Sequence, residues 1–117
     1  MTYLQALDKI NSLMLFGSRP GLDRILKFLD AMGNPQDKLR FVHIAGTNGK
    51  GSTSKMIAAV LKSAGYKTGL FISPYIIDFR ERIQIDNKMI EKESLAKCVE
   101  ETYPLLEELK KQGVIIT

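Results

Sequence analysis

Leu4, Leu7, Ile10 and Met14 stand three or four positions apart, so a first helix carries one apolar stripe, with Thr2 placed to cap it. Phe16-Gly17-Ser18-Arg19-Pro20-Gly21 breaks that pattern. A second stripe follows in Leu22, Ile25, Leu26, Leu29 and Met32, and Gly33-Asn34-Pro35 stops it. Both stripes predict packing faces. Arg40-Phe41-Val42-His43-Ile44-Ala45 is a short, mostly apolar run that predicts a buried strand. Met56, Ile57, Val60, Leu61 and Ala64 then recur at helical spacing up to Gly65, where a left-handed cap is expected. Thr68-Gly69-Leu70-Phe71-Ile72 predicts a second buried strand. Strand, turn, helix and strand make one right-handed βαβ unit with parallel strands, which places the chain in the α/β class.

Downstream, Arg80-Glu81-Arg82-Ile83-Gln84-Ile85 alternates like a strand, Asp86-Asn87 turns it, and Lys88-Met89-Ile90 returns as a hairpin partner. A long helix is predicted over residues 91–112 through Leu95, Cys98, Val99, Thr102, Leu106 and Leu109, kinked at Pro104 and stopped at Gly113. Val114-Ile115-Ile116-Thr117 begins a third strand. Cys98 falls on the apolar stripe, which predicts a small core residue rather than a nucleophile. His43 lies inside the first strand with no acidic or nucleophilic neighbour in sequence, so it too is expected to be structural.

The chain of 117 residues suits one domain, and its 44% hydrophobic and 26% charged content is that of an ordinary globular protein. A net charge of +4 comes from scattered Lys and Arg, which small anions explain as well as nucleic acid would. No nucleic-acid-binding motif accompanies them. One cysteine excludes an intrachain disulfide, and with one histidine it makes no zinc set. No apolar run reaches membrane-spanning length and no signal peptide opens the chain, so no membrane is expected and the cytoplasm is the expected compartment.

The candidate chemistry sits in Gly46-Thr47-Asn48-Gly49-Lys50-Gly51-Ser52-Thr53, between the first strand and the helix after it. A helix N-terminus offers unpaired N–H groups and a positive dipole end to a phosphate, so this strand-to-helix context predicts a phosphate cradle. Gly46, Gly49 and Gly51 let the backbone bend and close on oxygens. Lys50 supplies a mobile charge for the β- and γ-phosphates, and Ser52 or Thr53 a hydroxyl for Mg²⁺. Compared with the common P-loop pattern, Ile44 stands where the first Gly is usual and Gly51 follows Lys50 directly.

That variant, Gly46-Thr47-Asn48-Gly49-Lys50-Gly51-Ser52, resembles the ATP loop of the folylpolyglutamate synthase and dihydrofolate synthase family, relatives of the Mur ligases. Gly21-Leu22-Asp23-Arg24-Ile25, Ala64-Gly65-Tyr66-Lys67-Thr68-Gly69-Leu70-Phe71, Ser73-Pro74 and Phe79-Arg80-Glu81-Arg82-Ile83 extend the resemblance over essentially the whole chain. It implies a P-loop-type βαβ fold, the N-terminal part of a Mur-ligase-like ATPase domain that is three-layered α/β/α when complete. It also implies ATP and Mg²⁺ as cofactors, folate or dihydropteroate and L-glutamate as substrates, and a monomeric enzyme. Lys50 becomes the catalytic cation, Ser73 joins Ser52 as a Mg²⁺ ligand, and Arg19, Pro20, Gly21, Leu22 and Thr117 border the pterin pocket. Tyr75, standing where the family usually has His, opens a loop over the folate site, and Arg82 either meets an anionic tail or is a solvated charge on an exposed strand. The reaction implied is an ADP-forming amide ligation through an acyl phosphate. The second half of the ATP domain, further metal ligands and the C-terminal glutamate-ligase domain are missing, so the resemblance implies a fragment inactive by itself, with a sheet edge at residues 114–117 open to self-association. Two alternatives stay open: another P-loop nucleotide-binding protein such as a small-molecule kinase, and a non-catalytic association module.

Overall fold

A computed structural model of the chain describes residues 1–13, 17 and 21–116. Arg19, Pro20 and Thr117, with the Met14 end of the first stripe, lie outside the described residues. The chain divides into two compact units, Met1–Arg40 with Glu93–Thr117, and Phe41–Lys92.

The first unit is helical. α1 (Tyr3–Ser12) opens on a capping box in which the Thr2 hydroxyl accepts from the Gln5 amide and the Gln5 side chain accepts from the Thr2 amide. α2 (Asp23–Ala31) and α4 (Lys92–Lys111) end at glycines with positive φ, Gly33 and Gly113. At each, paired bonds return to the last turn: Gly33 to Asp30 with Asn34 to Leu29, and Gly113 to Lys110 with Val114 to Leu109. This double closure satisfies carbonyls the helix leaves open. The core of the unit is Ala6 against Ala96 and Val99, with Ile10 and Tyr103 packed on it. The buried face of α1 is therefore rotated from the expected stripe, and Leu4 is 75% exposed. Small Ala6 and Ala96 allow the close approach that Leu4 would block. Cys98 is exposed, contrary to its expected core position, because the buried face of α4 runs through Leu95, Ala96, Val99 and Leu109. Val114, Ile115 and Ile116 form no strand, so the edge expected there is not formed.

The second unit holds α3 (Lys50–Ser63) and a three-stranded sheet of β1 (Gly69–Phe71), β2 (Ile83–Ile85) and β3 (Lys88–Met89), with α3 packed on β1. α3 closes at Gly65, with Gly65 bonded to Lys62 and Tyr66 to Leu61. The hairpin is as the sequence predicts: Asp86 and Asn87 both take positive φ, and Ile85 faces Lys88 across them. The α/β class holds, but the ladder is antiparallel throughout, β1 pairing with β2 and β2 with β3. No parallel pairing of residues 40–45 with β1 forms among the described residues. A parallel ladder is stable when both faces are covered, and here Phe41 is 69% exposed. The strand expected from Arg80 begins only at Ile83, because Asp78 caps a 3-10 turn, Phe79–Arg82, that occupies the first half of the run.

Candidate functional site

The glycine-rich turn leads directly into α3. Residues 45–53 are all exposed, and Gly46 and Gly49 take positive φ of 153° and 74°. Gly49 is the N-cap of α3 and offers no side chain to its amides, and the first turn carries no acidic residue. The Thr53 amide bonds the Gly49 carbonyl at 2.9 Å, which sets the first turn, while the amides of residues 50–52 lie ahead of the intrahelical ladder. This end of a 14-residue helix thus presents open donors and a positive dipole with nothing of its own to neutralise them. A Cβ on Gly46 would stand 4.0 Å from Cγ of Lys50, so the lysine stem rises beside that glycine. Among the described residues Lys50 makes no ion pair, and the hydroxyls of Ser52 and Thr53 make no hydrogen bond. Such a donor set, with cation, amides and hydroxyls on one turn, fits a polyphosphate and its metal.

Ser73 lies exposed two residues beyond β1, in the same unit as the loop, joined to Pro74 by a cis peptide bond. Beyond it the structure brings Tyr75 and Arg82 together. Tyr75 meets Phe79 edge to face, centroids 5.8 Å apart at 65°. The Arg82 guanidinium lies 5.0 Å from the Tyr75 ring centre and 5.3 Å from that of Phe79. Its Nε is buried and makes no hydrogen bond. The turn beneath is held by two carboxylates. Asp78 accepts from the Arg80 amide and pairs with its guanidinium at 3.0 Å, and Arg80 also donates to the Ile90 carbonyl. Glu81 accepts from three successive amides, those of Ile76, Ile77 and Asp78, at 3.0, 2.9 and 2.7 Å. Those bonds, Asp78 foremost and then Ile76 and Ile77, hold the Glu81 carboxyl below its ordinary 4.5, against weaker opposition from desolvation and from Asp78's charge.

Gly21 and Leu22 belong to the helical unit, Gly21 with φ of 119° and Leu22 exposed at the start of α2. His43 is exposed. No cluster of three or more His, Cys, Asp or Glu able to hold a metal occurs among the described residues. Sequence reasoning missed the packing of Phe79 with Tyr75 and Arg82 and the Glu81 clamp. The signal was present: Asp78 followed three residues later by Glu81 is a capping-box spacing, hidden by the alternation of the same residues.

The chain is 42% identical over 107 residues to a dihydrofolate synthase/folylpolyglutamate synthase of Bacillus subtilis, covering 92% of this chain and 25% of that protein. It is 38% identical over 117 residues to a probable bifunctional folylpolyglutamate synthase/dihydropteroate synthase of Haloferax volcanii, covering 100% of this chain and 14% of that one. The solved folylpolyglutamate synthase complex with AMPPCP and folate superimposes with a TM-score of 0.88 at 38% identity, covering 100% of this chain and 28% of that one. The chain is a homologue of folylpolyglutamate synthases. No family model matches it. Its α/β architecture is that of folylpolyglutamate synthases, of whose length it spans about a quarter or less. No helix among the described residues is long and apolar enough to cross a membrane.

Proposed function

We propose that these residues are the nucleotide-binding portion of an ATP-dependent ligase that adds L-glutamate to folate or dihydropteroate. The observation that carries this reading is the uncapped N-terminus of α3 behind Gly46 and Gly49, with Lys50 beside it, in a chain that superimposes along its whole length on a folylpolyglutamate synthase bound to AMPPCP and folate. In this reading the amides of residues 46–52 cradle the phosphates, and Lys50 neutralises charge as the γ-phosphoryl group leaves ADP. Ser52, with Thr53 beside it, and Ser73 would hold Mg²⁺, which when bound spreads phosphate charge. The substrate carboxylate forms a bond to γ-phosphorus as the bond to ADP breaks. The glutamate amine then attacks the acyl carbon, loses a proton and displaces inorganic phosphate. Little covalent help from the protein is needed; positioning supplies the rate.

Tyr75 and Arg82 are the folate-side neighbours in this reading, Arg82 facing an anionic tail, and Arg19, Pro20, Gly21, Leu22 and Thr117 border the pterin. The cytoplasm is the proposed compartment, in keeping with a free Cys98 thiol. The 117 residues by themselves are expected to bind nucleotide without ligating, and glutamate-dependent ADP release from them would contradict this. The decisive test is calorimetric titration with Mg-ATP beside Lys50→Ala. Binding by the unsubstituted chain and at least a tenfold loss in the variant, roughly the scale of a charge-assisted contact to phosphate, is the expected result. Equal binding by both, or none to a folded chain, overturns the assignment of the grip to this turn.

A further inference from the structure

We propose that Glu81 is the positioning residue of the Tyr75-to-Arg82 segment: its carboxylate, bound to the amides of Ile76, Ile77 and Asp78, sets the backbone that stacks Tyr75 and Phe79 under Arg82. The proposal rests on the reading of Tyr75 and Arg82 as substrate neighbours. Packing does not define this backbone, since Ile76 and Ile77 are 89% and 88% exposed and, beyond Ile72, whose amide donates to the Arg82 carbonyl at 3.0 Å, residues 73–78 lie in no strand. Three amides converging on one carboxylate define it instead, and a carboxylate is the acceptor with enough lone pairs to take them all. Arg82 adjoins Glu81 in sequence yet makes no ion pair with it. Among the described residues its guanidinium meets no carboxylate and rests on the two rings. The clamp therefore has a division of labour as its consequence: Glu81 spends its charge on the backbone, and Arg82 keeps its own for an incoming anion, the carboxylate-bearing class of substrate proposed above.

The charges around Glu81 are few. Asp78 opposes its ionisation and is itself paired with Arg80, Arg82 is turned to the rings, β2 has no ionisable side chain, and β3 brings only Lys88.

The test is proton–nitrogen NMR of the 117-residue chain as pH falls, with Glu81→Gln beside it. The amides of Ile76, Ile77 and Asp78 are expected to shift together with one midpoint below 4.5, and the Tyr75 ring and Arg82 Nε–H to follow the same midpoint. E81Q at neutral pH is expected to reproduce the acid-form shifts of Tyr75 and Arg82 while α3 and the hairpin keep theirs. If the amides titrate and Tyr75 and Arg82 stay still, Glu81 binds the loop without positioning the stack and the proposal falls. The unsubstituted chain alone decides this, whether or not the variant folds. Folate added at neutral pH separates the two readings. Binding weakened about tenfold in E81Q, the scale of one charge-assisted hydrogen bond, supports the positioning role, and equal binding overturns it. No folate binding by the unsubstituted chain, with the coupled titration intact, upholds the clamp and removes the substrate reading alone.

Discussion

At the scale of single residues, two glycines of the loop are set apart by their backbone. Gly49 sits in the left-handed region with φ of 74°, whereas Gly51 lies within α3 in ordinary helical backbone, and neither would bring a Cβ within 4 Å of a neighbour. Gly49→Ala is therefore expected to destabilise the chain by about 1–2 kcal/mol, the strain of a left-handed L-residue. Gly51→Ala is expected to stabilise it by about 0.5–1 kcal/mol, because the helix gains propensity and the unfolded chain loses freedom. Urea unfolding of the two variants checks both signs. Opposite shifts confirm that the strain is stored at the cap, and two shifts of the same sign would contradict it. Glu81 has a sign of its own. Its carboxyl is lowered in the fold, so the stability it lends is present above its ordinary pKa of 4.5 and is lost as pH falls through the lower folded value.

At the scale of elements, the local signals were legible in the sequence and the nonlocal ones were not. Thr2, Gly33, Gly65, Gly113 and the Asp86-Asn87 pair each act within a few residues, and each forms the cap or turn its chemistry predicts. Gly46 and Gly49 belong with them, since the positive-φ turn they make into α3 is local too. Residues 40–45 are different. Their apolar run says that they suit a strand, and only a neighbouring strand covered on both faces would make them one. The rotation of α1 onto Ala6, and the exposure of Cys98 and Ile25, turn likewise on what packs opposite. The stacking of Arg82 on Tyr75 and Phe79 depends on a turn whose capping box competes with an equally readable strand alternation. Pro104 gives the element-scale prediction. It lies inside α4, where a proline lacks the amide for the fourth carbonyl back and crowds it. Pro104→Ala is expected to raise stability by about 1–3 kcal/mol, read from the urea midpoint at unchanged slope. A loss of stability would mean that the ring packs usefully against its surroundings.

At the scale of the whole molecule, the large apolar side chains that remain exposed matter more than those that are buried. In the helical unit α2 presents Ile25 and Leu26, and in the sheet unit Phe41, Val42, Val60 and Phe71 are exposed. Each side chain of this size gains roughly 1.5–3 kcal/mol on full burial. Among the described residues the strand order places β1 at a sheet edge, beside exposed Phe71. A net charge of +4 spread over the surface gives only weak, screened repulsion between copies. The chain by itself is therefore expected to self-associate, with a weight-average mass that climbs above 13.1 kDa as concentration rises. Because the contact is apolar, the climb is expected to persist at high salt, where an ionic contact would dissolve. Phe71→Lys places a charge on the edge strand and is expected to return the chain to monomer without disturbing α3 or the phosphate turn. Light scattering from the micromolar to the millimolar range decides the matter. A strict monomer throughout, or association unchanged in Phe71→Lys, would show that this edge attracts no second copy.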